Sequence, residues 1–134
     1  MNLYSSQFSE YNFESTHRIL FMSWKKDSQN LDEEKIKAEM NRSLSFIEQY
    51  GVRNVIVDTR NYTFRNNLNI QNWITRSYMP LMMSAGLLKY AIIVDSGIIH
   101  QFKDSGEDDE KVLPIVEYFA EMDEAKKWIE SHEH

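Results

Sequence analysis

The chain has 134 residues, a formal net charge of -6, 42% hydrophobic and 13% aromatic residues, and no cysteine. That is the length of one domain (1–134) with enough aromatic content for a real core, and the acidic balance argues against nucleic acid or an anionic membrane as main partner. The missing cysteines exclude disulfides, thiolate metal sites and cysteine nucleophiles, no apolar run approaches the roughly 20 residues of a membrane helix, and Met1–Gln7 lacks signal-peptide character, so the expected location is the cytoplasm.

Tyr11–Phe13 and Arg18–Trp24 read as a hairpin with Ser15-Thr16-His17 near its turn. Ile19-Leu20-Phe21-Met22 is apolar on both faces, which places this strand inside a sheet and its partner at or near an edge. Asn30 and Glu33 form a capping-box pattern. The stripe Ile36, Met40, Leu44 and Ile47 then predicts a helix that stops at Gly51.

Asn54-Val55-Ile56-Val57-Asp58 and Tyr90-Ala91-Ile92-Ile93-Val94-Asp95 are the two most informative segments. Both are short apolar runs ending in aspartate, as expected of parallel strands buried on both faces. Between them a polar loop, Thr59–Asn67, leads to a helix capped by Asn67 or Asn69 and carrying Ile70, Trp73, Ile74 and Tyr78. Pro80 should kink or restart that helix. Leu81-Met82-Met83 continues its apolar face, and Gly86 ends it. Ser96–Pro114 is irregular, with an apolar patch at Ile98-Ile99-His100-Gln101-Phe102 and an acidic run at Glu107–Glu110. A short strand over Ile115–Phe119 and a closing helix capped by Asp123, with Ala125, Trp128 and Ile129 inward, complete the chain. The expected class is α/β: a single-domain mixed sheet, an N-terminal hairpin plus βαβαβ, flanked by helices.

Several residues together resemble a known family. They are Trp24 at a strand end, Gly51 leading into Val55-Ile56-Val57-Asp58-Thr59-Arg60-Asn61, Gln71, Trp73, Pro80, Gly86, and Tyr118-Phe119 before Ala125, Lys127 and Trp128. The pattern resembles the SpoIIAA-like group of small STAS-type domains, in the stand-alone form common in the Bacteroidetes. The resemblance implies a mixed sheet flanked by helices, no cofactor, and a regulatory or protein-interaction role. Relatives with a phosphorylated serine carry an Asp-Ser-Ser-Gly-like motif, whereas the comparable region here is Asp58-Thr59-Arg60-Asn61, so no phosphate is expected on Thr59 or Thr63. Other relatives resemble Sec14-type lipid-binding proteins in architecture, which implies an apolar ligand as the alternative.

Asp58 and Asp95 are expected at the carboxyl edge of the sheet, where α/β proteins place ligands. The commoner role for such residues is an Asx turn, with Arg60 pairing Asp58. A receiver-type Mg²⁺ site needs an acidic pair after the first buried strand, and that strand ends in Ser23-Trp24-Lys25. No Gly-x-Ser-x-Gly elbow, phosphate-cradling loop or His-Glu metal spacing occurs, so no enzyme, catalytic residue or metal is expected. Glu107–Glu110 lacks the spacing of an EF-hand loop. The expected binding residues are Asp58, Thr59, Arg60, Asn61 and Asp95 at the edge, with Trp73, Tyr78, Met82 and Phe102 around an apolar cleft beside the kinked helix. The expected partners are another protein, a second copy of the chain in a homodimer, or a small apolar molecule.

Overall fold

In the computed structural model, which describes residues 1–62, 68–99 and 115–131, six strands form one sheet in sequence order. The strands are β1 (Asn2–Ser5), β2 (Ser9–Glu14), β3 (Ile19–Trp24), β4 (Asn54–Asp58), β5 (Lys89–Ile93) and β6 (Ile115–Phe119). β1, β2 and β3 pair antiparallel, and β3 through β6 run parallel. The mixed α/β class expected from the sequence is therefore present.

One strand was not expected. β1 is short and polar and lies at the sheet edge, so it carries no buried apolar run to announce it. Its anchor is a long-range polar cluster. Glu39, buried on the first helix, accepts hydrogen bonds from Tyr4 (3.1 Å), Ser6 (3.3 Å) and Ser9.

Burial follows the strand patterns. β2 alternates, with Ser9, Tyr11 and Phe13 buried and the residues between them half-exposed. Val55, Ile56 and Val57 on β4 are all buried, because helices cover both faces of the parallel half. Helix α1 (Glu33–Tyr50) lies on one face, with Ile36, Met40 and Ile47 against Tyr11, Leu20 and Met22. Its cap is Asp32, which accepts from the Lys35 N–H (2.8 Å), rather than Asn30. Asn30 instead closes a 3₁₀ turn, Lys26–Asn30, that holds the chain two residues longer before the helix begins. Gly51 ends α1 at φ 69, as its position predicts.

The same face carries α2 (Leu68–Trp73), a π-helical turn (Ile74–Tyr78) and α3 (Met79–Ser84). The restart at Pro80 has a specific form. Pro80 has no N–H for the carbonyl four residues back, and the turn before it widens, so that the Met79 N–H bonds the Ile74 carbonyl five residues back. Among the described residues, helix α4 (Met122–Ser131) covers the opposite face, packing Ala125 and Ile129 on Ile19, Ile56, Ala91 and Ile93. It begins at Met122, so Asp123 sits in its first turn, where a carboxylate favours the helix dipole, and is not its cap. No helix among the described residues is long and apolar enough to cross a membrane.

Candidate functional site

The parallel half of the sheet aligns the carboxyl ends of β3, β4, β5 and β6, and the two faces of that edge carry different chemistry. Asp58 closes β4 on the α4 side. Its Oδ1 accepts from the Arg60 backbone N–H (3.0 Å) and from Nε (3.0 Å), while Oδ2 accepts from Nη2 (2.8 Å). This is an Asx turn reinforced by a two-pronged ion pair. Burial pushes the Asp58 carboxyl up, but the Arg60 hydrogen bonds outweigh it and leave the pKa below the ordinary value.

Asp95 is not the symmetrical partner that the sequence suggests. β5 stops at Ile93, and Asp95 is exposed in the following turn, where its carbonyl accepts from the Ile98 N–H (3.0 Å). Its charge, with those of Asp58 and Glu121, acts on Arg60. Among the described residues no group of three acids, histidines or cysteines is placed to hold a metal ion.

Thr59 turns to the other face. Its Oγ1 (2.7 Å) and its backbone N–H (2.9 Å) both donate to the Ile93 carbonyl, tying the ends of β4 and β5 together. The chain then turns through exposed Arg60 and Asn61, and the Tyr62 N–H returns to the Thr59 carbonyl (3.0 Å). Beside this turn is a cavity of about 410 Å³ between the sheet and the π turn. Trp24, Val57, Thr59, Ile92, Val94 and Tyr118 supply its wall at the strand ends, and Tyr90 and Val116 lie one step further back. Ile74, Thr75 and Met79 form the helical wall, with Met40 and Tyr62 at the sides. The volume lies within the usual range for small-molecule sites, and apolar side chains dominate the lining.

The helix residues expected in this cleft sit elsewhere. Tyr78 and Met82 are fully buried in the core, where the Ser43 hydroxyl lies 2.8 Å from the Tyr78 hydroxyl and 3.4 Å from the Met82 sulfur. Trp73 stacks on Tyr78 (5.3 Å between rings) below the Lys37 ammonium, which puts it on the side facing α1. The π turn explains the exchange. Residues five apart align across it, so Trp73 with Tyr78 faces α1 while Ile74 with Met79 faces the sheet. Phe102, Thr63 and the acidic run Glu107–Glu110 lie outside the described residues.

The wall residues missed by sequence reading had a readable signal. Val57 alternates with Ile56 and Asp58, and Tyr90, Ile92 and Val94 alternate with Ala91 and Ile93, while Thr59, an expected binding residue, continues the Val57 face. Each strand therefore has one face toward the larger core and the cavity and one that α4 covers, and on β5 the first carries the aromatic Tyr90. Burial raises the pKa of Tyr62 and of Tyr118. Burial, then the neighbouring Tyr78, raises that of Tyr90 further, so all three phenols are protonated at neutral pH. Compared with protein-family models, curated proteins and solved structures, the chain matches none of them.

Proposed function

We propose that this domain is a non-catalytic binding module that holds a small, mainly apolar ligand between the carboxyl ends of its parallel strands and the π turn. The observation that carries this reading is the cavity itself. It lies at the strand edge where α/β folds commonly bind ligands, and its wall includes a π turn, a feature that recurs at functional sites. Its described lining contains no histidine, carboxylate or lysine to serve as a base, which supports binding rather than chemistry.

The SpoIIAA-like resemblance supports a regulatory use of such binding. One turn joins the two surfaces: Thr59 and Tyr62 line the cavity, while Arg60 and Asn61 between them are exposed. Occupancy on one side can therefore be read by a protein partner on the other.

Organic extraction of protein purified from its native host, followed by mass spectrometry, tests the ligand reading. A small apolar molecule should accompany the wild type and be lost from Ile74→Trp and Thr75→Trp, which fill the cavity, while urea melts show both variants folded. A clean extract, together with no binding of an added neutral fluorescent probe, overturns it. Pull-downs comparing wild type, Asp58→Ala and Arg60→Ala test the partner surface, and identical partner lists count against it.

A further inference from the structure

We infer that the cavity selects an uncharged, ring-shaped ligand that hydrogen-bonds through a neutral group, and discriminates against fatty acids and other carboxylate anions. This rests on the cavity being a ligand site and adds the class of ligand it takes.

Two features of the lining lead there. The first is its aromatic content. Trp24, Tyr62, Tyr90 and Tyr118 all contribute, and the Trp24 and Tyr62 rings meet at 4.8 Å and 52°, forming a tilted corner. A planar ring gains edge and face contacts against such a corner, and it surrenders few rotamers on binding, unlike a flexible acyl chain. Met40 and Met79 adapt to the remaining outline.

The second feature is charge. Every side-chain polar atom of the described lining belongs to an uncharged group: the indole of Trp24, the three phenols, and the hydroxyls of Thr59 and Thr75. Phenols both donate and accept hydrogen bonds, which suits a hydroxyl, amide or carbonyl on the ligand. A carboxylate would be stripped of water there with no cation among the described lining residues to offset the loss. Arg60, in the same turn as Thr59 and Tyr62, is already clasped to Asp58 by two side-chain hydrogen bonds of 3.0 and 2.8 Å. The buried Tyr78 hydroxyl behind the wall is also committed, lying 2.8 Å from that of Ser43.

A matched pair of probes separates the alternatives: naphthol, neutral at neutral pH, and naphthoate with the same substitution, which is ionised. Calorimetric titration of the whole protein should show naphthol binding at least roughly tenfold more tightly, with the gap closing as acidification protonates naphthoate. Thr75→Trp should weaken naphthol binding, and Ile74→Trp serves as a second filling variant if the first does not fold. Equal or tighter binding of naphthoate at neutral pH overturns this inference and leaves the ligand site standing. Failure of both probes to bind, or naphthol binding indifferent to both filling variants, overturns the ligand site as well.

Discussion

Asp58 and Arg60 show how a candidate site residue can be accounted for by local structure. The carboxylate accepts one backbone and two side-chain hydrogen bonds from a residue two positions on, which leaves it little capacity for a ligand. Because its folded pKa lies below the ordinary value, the pair's contribution is fully present above the unfolded pKa of about 3.9 and is lost as the pH falls through the lower folded value. Arg60 is more than a third exposed, so solvent screening limits the effect. Arg60→Ala is expected to cost about 0.2–1 kcal/mol at neutral pH, and urea melts should show the difference shrinking below pH of about 3.9. A difference that persists in acid would assign the contribution to packing. Thr59 carries a related prediction. Its hydroxyl is half-buried and already donates to Ile93, so a phosphoryl group would break the tie between β4 and β5. Intact-mass measurement of protein from its host should find no stoichiometric phosphate on Thr59 or Thr63; a major population heavier by one phosphoryl group in that loop would refute this.

At the scale of elements, the sheet centre is where the chain is least tolerant. Ile56 and Ile93 lie on adjacent strands on the face beneath α4, Ile56 beside Ala91 and Ile93 beside Asp58, and both are fully inaccessible. Either change to Ala removes burial and leaves a cavity among groups that cannot close over it, and should cost roughly 2–5 kcal/mol in denaturant melts. Losses under about 1 kcal/mol for both would mean that neighbouring side chains collapse to fill the space. The segment from α2 to α3 has a different role. Its π turn divides one apolar stripe into two, giving Tyr78 and Met82 to the core and Ile74 and Met79 to the cavity. Ordinary helical spacing merges those sets, so the sequence alone does not separate Trp73 and Tyr78 from Ile74 and Met79.

Across the whole molecule the two faces of the sheet are unequal. Among the described residues, α1 and the α2–α3 segment share the larger core, and α4 closes the smaller one. The smaller core depends on Ala125 and Ile129, both fully buried. A chain ending at Glu121 lacks α4 and so loses the packing of Ala125 and Ile129 on Ile19, Ile56, Ala91 and Ile93. We expect it to bind a hydrophobic dye and to lose its near-ultraviolet circular dichroism signal and cooperative melting. A truncated chain that melts cooperatively with native aromatic signals would show that the larger core is sufficient alone.

The central strands, α1 with its Gly51 stop, the break at Pro80 and the inward face of α4 were all legible in the residues, because hydrophobic period and turn chemistry are local properties. The Asx turn at Asp58 was legible for the same reason. β1 was not, since its place depends on Glu39, thirty residues and more away in sequence. Nor did the sequence reveal which residues enclose the cavity. Trp24, Tyr62, Tyr90 and Tyr118 come from four separate segments and meet only when the parallel strands align and the π turn rotates the helix above them. Periodicity identifies which side chains leave water, but how closely two opposed apolar surfaces approach, and so where a space remains between them, is decided by the packing of the folded chain.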